Sequence, residues 1–344
     1  MRNREAVLLA VALGGVTASG LAQGVRVVAN EAERRVDITI DGHPFTSYIW
    51  PTTLKKPVLY PLITEDGITV TRGYPLEPRP GERIDHPHHA GVWFNYGDVN
   101  GFDFWNNSDA IKPEDRHKMG TIEQEKIVST TSGADRGELV ADSTWITGEG
   151  KPILAETASY VFTGRPYERV IDVVVKLKAL DRAVFHDDKE GVLGMRVAGW
   201  LESAEEKGGE FTDSSGRPTK VEGASPGASG VYLTSEGRQG AAAWGTRGRW
   251  CSLSGHTGDR ALTIVIFDHP ENPGYPTYWH ARGYGLFAAN PLGRSIFDPK
   301  QPALNFTLDK DQTATFRYRI ILMSHKTTAE RLNGEADAFA AEYK

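Results

Sequence analysis

Runs of alternating or continuous apolar residues recur along most of the chain at a spacing suited to β-strands. Val25–Ala29 and Arg35–Ile40 begin the series, with Asp41-Gly42 supplying a turn, and Ala158–Phe162, Val170–Leu177, Leu193–Leu201, Ala261–Phe267 and Thr315–Met323 continue it. Thirty-seven glycines and nineteen prolines punctuate the runs too often for long helices to form. One segment departs from this pattern. Over Thr328–Tyr343, Ala329, Leu332, Ala336 and Phe339 fall on one side of a helix, with Thr327 or Thr328 as N-cap. The predicted architecture is all-β: a large antiparallel β-sandwich of the supersandwich type, closed by a short C-terminal helix. Lys207–Gly230, rich in Gly, Ser and Pro but flanked by β pattern, reads as a long surface loop, so residues 23–344 are expected to form one domain.

The first 22 residues follow a different logic. Arg2 and Arg4 form a basic start, Ala6 to Ala22 is apolar and small, and Gly20-Leu21-Ala22 offers a small-x-small cleavage site, the pattern of a secretory signal. The mature protein is therefore expected to be exported, to the periplasm or beyond. No later apolar run approaches the roughly 20 residues that span a bilayer. With 39 basic and 45 acidic side chains and no basic block, nucleic acid and anionic membranes are not expected partners. Cys251 is the only cysteine, which excludes an intramolecular disulfide and suits a small buried apolar position.

Four polar segments carry the candidate chemistry. The first is His86-Pro87-His88-His89, three of ten histidines in four residues, preceded by Thr71-Arg72-Gly73. Imidazoles are costly to bury unpaired, so such a cluster marks proton transfer, metal ligation, ligand recognition or a structural hydrogen-bond network. In an extended chain His86 and His88 share a face, able to ligate a metal only with a third ligand from elsewhere. The second segment contains Trp93 and Trp105, whose flat faces suit sugar rings or the core, and Asn100-Gly101, a hairpin signal that either pairs Val99 with Phe102 and Asp98 with Asp103 across a two-residue turn or separates the carboxylates across a longer, bulged one.

The third segment, Phe185-His186-Asp187-Asp188-Lys189-Glu190-Gly191, mixes imidazole, carboxylates and an amine just ahead of Met195-Arg196. Glu190 is favoured as a general acid or base, with Asp187 second. The fourth, Asp268 to Gly285, reads as a rigid loop in which His280 and Arg282 point the same way, beside Trp279.

Together the four segments resemble a bacterial family of exported proteins labelled PmoA-like. The matching stretches are His86–Phe94, Asp98–Trp105, His186–Gly191 and Pro276–Gly285. The resemblance implies a common fold and a shared site, and no activity, because a membrane methane oxygenase needs spanning helices. The β layout and histidine-rich segment also resemble galactose mutarotase-like β-supersandwiches, whose members act on carbohydrates, often with a histidine acid and a carboxylate base.

These readings converge on an exported carbohydrate-active enzyme that uses acid/base chemistry on a sugar or modified sugar, as epimerase, lyase or hydrolase. His89 or His280 would act as acid and Glu190 as base. Arg72, His86, His88, Asn100, Asp187, Arg196 and Arg282 would bind substrate between Trp93 and Trp279. The alternatives are a noncatalytic carbohydrate-binding protein with the same pocket, and a soluble metal-dependent enzyme using His86, His88 and a carboxylate. The expected partner is a small-molecule or oligosaccharide ligand; no cofactor is specified.

Overall fold

The structure is a computed structural model and describes residues 24–343. The expected signal segment lies outside the described residues. Two eight-stranded antiparallel sheets face each other. The first runs, in spatial order, Val25–Asn30, Arg35–Ile40, His43–Ile49, Val58–Leu59, Val92–Tyr96, Gly191–Arg196, Leu286–Asn290 and Tyr278–Ala281. The second runs Val231–Thr234, Trp250–Thr257, Arg260–Asp268, Thr313–Met323, Glu168–Ala179, Pro152–Arg165, Arg136–Thr147 and Gly120–Thr131. The all-β sandwich read from the apolar pattern is thus the fold observed.

Alternation along each strand sends one set of side chains inward. Phe94, Tyr96, Leu193, Met195, Trp279, Phe287 and Ala289 of the first sheet join Trp145, Phe162, Val173, Ile264, Phe316 and Ile320 of the second in one core. The second sheet's outer face is covered by the helix Ala329–Ala341, whose Leu332, Ala336 and Phe339 pack on Val170, Val265 and Ile321. Thr328 is its N-cap, the hydroxyl accepting from Arg331 N. Among the described residues no helix is long and apolar enough to cross a membrane.

The differences from expectation have physical causes. Arg136–Thr147 alternates strictly between more buried and more exposed positions, but its inward members include Gly137, Ser143 and Thr147, which blunt the apolar signal. Gly120–Thr131 lies at a sheet edge and is largely exposed. The run beginning at Leu193 ends at Arg196 and turns into a short 3-10 segment at Gly199–Leu201. Lys207–Gly230 is not a plain loop. It contains the hairpin Gly209–Thr212 with Pro218–Val221, which docks through Ile84 N donating to Glu210 O at 3.0 Å.

Candidate functional site

The first sheet's outer face carries the chemistry. Sheet register places Trp93 opposite Gly194, Gly194 opposite Ala288 and Ala288 opposite His280, so these four form one transverse row. Arg196, two residues past Gly194, projects on the same face and pairs with Leu286. Trp93, Trp105, Leu286 and Ala288 belong to a cluster separate from the main core, with Tyr284 packed against it.

The histidine run crosses this face on a tight turn, with His86 at φ 44° and His89 N donating to His86 O. Arg72 makes that turn. Its Nη1 donates to Asp85 Oδ1 at 2.6 Å and Arg83 O at 3.2 Å, and its Nη2 to the carbonyls of His86 and His89 at 3.0 and 3.1 Å. Arg196 Nη2 donates to the same Asp85 oxygen at 2.6 Å. Both guanidinium groups are fully buried and Asp85 is their counter-charge. Burial works against ionisation of Asp85, but His86, Arg196 and Arg72 prevail and hold it well below the usual carboxylate range.

Asp85 Oδ2 stands 3.1 Å from His86 Nδ1, and the His86 side chain is 40% exposed. The imidazole is sandwiched at near-parallel angles between Tyr284 and His89, with ring centroids 5.1 and 4.9 Å away, and His89 in turn stacks on Trp93. An imidazole with one nitrogen oriented by a carboxylate and an exposed edge is equipped for proton transfer.

His89 is not. Its Nε2 lies 3.1 Å from Trp105 Nε1 and its Nδ1 3.2 Å from Arg196 Nη1, and both neighbours are pure donors. Burial, then the charges of His88 and Arg196, hold its pKa far below the imidazole range. Held neutral at this depth, the ring lacks the second proton that an acid would deliver, and it can accept from only one of the two donors, which corrects its expected role as acid. His88 is pushed down to about 2 by burial and by Lys56, whose buried Nζ donates to His88 O at 2.8 Å.

Glu190 and His280 meet at the other end of the face. His280 Nδ1 donates to Lys189 O at 3.0 Å and lies 3.7 Å from Glu190 Oε2. That bond fixes the hydrogen on Nδ1 and leaves Nε2 as an acceptor. Burial, with Arg282 and Lys189, brings His280 down to about 3, so it is a neutral orienter rather than an acid. Burial raises the Glu190 carboxyl, while Lys189 Nζ, donating to Oε1 at 2.6 Å, restrains the rise. Tyr284, stacked on His86, feels the charges of both ends. The charges of Arg196, Glu190, Arg282 and Asp85 all bear on its hydroxyl, and burial carries it to about 12.

The chain belongs to the family of unknown function DUF6807. The family model matches residues 35–337. No curated protein matches the chain. Similar solved structures include galactose 1-epimerase from Lactobacillus acidophilus NCFM, 9% identical over 88% of this chain and 100% of that one, TM-score 0.42. A putative aldose 1-epimerase from Escherichia coli K12 is 9% identical over 88% of this chain and 99% of that one, TM-score 0.38. The GH36 α-galactosidase AgaB from Geobacillus stearothermophilus is 13% identical over 87% of this chain and 41% of that one, TM-score 0.39.

In this DUF6807 member several expected ligand contacts are structural. The four Nη hydrogens of Arg72 are used within the histidine turn, and Arg196 is spent on Asp85 and His89, so neither reaches out to substrate. Asp187 accepts from the backbone N–H groups of Arg294, Ser295, Ile296 and Leu304, organising that loop. Asn100 is the turn residue of the hairpin, φ 56°, its side chain bonded to Arg182 O and Val184 N. Trp279 points into the core and Trp93 is buried under His89, so neither forms an open wall. Asp98 and Asp103 do not face one another as a charged pair: Asp98 binds His186 Nδ1 at 2.8 Å, and Asp103 caps Trp105 N and Asn106 N. Among the described residues no three His, Cys, Asp or Glu side chains are grouped to hold a metal.

His86, Glu190 and His280 remain, with Arg282 exposed and its guanidinium 5.8 Å from the Tyr284 ring. Asp85 and Tyr284, the latter within the fourth polar segment, join the site without a role assigned to either from the sequence. The signal for Asp85 was its place directly before the histidine run; nothing local marked Tyr284 among neighbouring aromatics.

Proposed function

We propose that this protein is an exported carbohydrate-active enzyme that works by proton transfer, with His86 and Glu190 as the exchanging pair. The observation that carries the reading is the arrangement around Tyr284. On one side stands an exposed imidazole oriented by Asp85, and on the other a largely buried carboxyl whose proton affinity is raised. Epimerisation, elimination and hydrolysis of sugars each need one group that takes a proton and another that gives one. His280 Nε2 and Arg282 supply an acceptor and a donor for hydroxyls, and the edge of His86, whose two faces are stacked on Tyr284 and His89, is left for proton exchange.

The test is turnover by the purified mature protein on a panel of neutral and oxidised mono- and oligosaccharides. Product formation that collapses in Glu190→Gln and His86→Asn supports the enzyme. Saturable binding without product supports the binding module instead. Export is tested separately: the protein recovered from the native cell envelope should have lost about 22 N-terminal residues, and a chain retaining Met1 in the cytoplasm would refute it.

A further inference from the structure

A concavity lies on the other side of Lys56 from the histidine turn, where the first sheet's Trp50–Lys56 connection meets the far edge of the second sheet. It encloses about 640 Å³, within the range of small-ligand sites. Its wall combines the half-buried ring of Trp50 with polar groups of Thr52, Ser108 and Gln124, while Arg34, Lys55, Lys56 and Arg116 contribute cations. Against these stand Asp109 and Glu123. Lys55 pairs with Asp109 at 2.6 Å. Among the described residues neither Arg34 nor Arg116 has a carboxylate within 4.0 Å. Lys56 is buried, with a single hydrogen bond to His88 O. Burial lowers Lys56 to about 7 and its Nζ lies over the Trp93 ring, so two unpaired cations, Arg34 and Arg116, face one unpaired carboxylate, Glu123.

A concave wall with surplus positive charge, one aromatic face and several hydroxyl and amide groups is complementary to a polyhydroxylated anion. We propose that this cavity is a second binding site, for an anionic saccharide bearing a carboxylate or a sulfate, with Arg34 and Arg116 meeting the charge and Trp50 the sugar ring. The charge argument stands alone; the saccharide part rests on the proposed function. Lys56 forms the inner boundary between this cavity and the histidine turn.

Calorimetric titration of the full mature chain decides it, using a uronate-containing disaccharide, a sulfated disaccharide, a neutral disaccharide and inorganic sulfate as probes. The expected result is binding of at least one anionic disaccharide, tenfold or more tighter than the neutral one. It should weaken at least tenfold in the Arg34→Gln/Arg116→Gln double variant, whose exposed side chains leave folding intact. It should be unchanged in the Glu190→Gln/His86→Asn variant, which disables the first site; which anionic probe binds identifies the acidic group. The proposal is overturned if neither anionic disaccharide binds or the neutral one binds equally. It also fails if sulfate alone matches the sulfated sugar with no uronate binding, or if the double arginine variant binds unchanged. Loss of binding in the Glu190/His86 variant would assign the ligand to the first site and equally overturn it.

Discussion

Asp85 Oδ1 accepts from Arg72 Nη1 and Asp85 Oδ2 faces His86 Nδ1, so one carboxylate both neutralises a buried guanidinium and aims an exposed imidazole. The two functions separate by substitution. Asp85→Asn leaves Arg72 and Arg196 without a counter-charge and is expected to cost about 3 kcal/mol in urea unfolding. Because the folded-state pKa of Asp85 lies below its unfolded value, its contribution is complete above about pH 4 and disappears as the pH falls through the folded value. The variant should therefore lose part of the wild-type acid sensitivity. His86→Asn tolerates the left-handed backbone at that position. It should leave stability within about 0.5 kcal/mol and reduce turnover about 100-fold or more.

The strands were legible because a two-sheet sandwich buries whole faces, and Val170–Leu177 or Ala261–Phe267 can only be read one way. The segments of the site were legible for the same reason that makes them costly: clustered imidazoles and carboxylates are poor core material. Their division of labour was not. Arg72, Arg196, Asp187 and Asn100 satisfy backbone or counter-charge partners in other segments of the chain, most of them loops, and no local pattern distinguishes such a group from one reaching for ligand. The Val99–Phe102 pairing predicted from Asn100-Gly101 is present, since two-residue turn chemistry is local. The neutral state of His89 depends first on burial, beneath a fold that brings Trp105 and Arg196 from 16 and 107 residues away.

Gly194 permits the stack beneath the site. A Cβ there would lie 2.5 Å from Trp93 Cε2 and Cζ2 and 2.9 Å from Trp105 Cη2. Gly194→Ala should destabilise by about 2 kcal/mol through overpacking and push Trp93 against His89. Unfolding followed by tryptophan fluorescence measures both effects; a variant with unchanged stability and spectrum would show that the indoles yield freely.

Glu156 predicts a pH dependence from the core. It is buried, accepts from Trp145 Nε1 at 2.7 Å, and burial raises it to about 7. Between about pH 4.3 and pH 7 the unfolded chain has released this proton while the folded one retains it, so stability falls as pH rises through that window. Glu156→Gln keeps the indole bond without the ionisation. It should remove about 2–4 kcal/mol of that decline, read as a smaller drop in unfolding free energy between pH 4.5 and pH 8. Asp268, raised to about 7 by burial, contributes in the same direction and should leave a residual slope.

The roles of Glu190 and His280 are separable by pH–rate profiles. Lys189 Nζ donates to Glu190 Oε1, restraining a carboxyl that burial pushes upward, so Lys189→Met removes the restraint. If Glu190 must be ionised for catalysis, the acid limb of kcat/KM should move to higher pH by about half a unit or more in that variant, with maximal turnover largely retained. His280, down at about 3, is neutral throughout the working range. His280→Gln should therefore lower kcat/KM through lost orientation without moving the limb. Glu190→Gln should abolish the limb together with about 99% of the activity. An acid limb that stays fixed in Lys189→Met but disappears in His280→Gln would reverse the assignment and make the imidazole the titrating base.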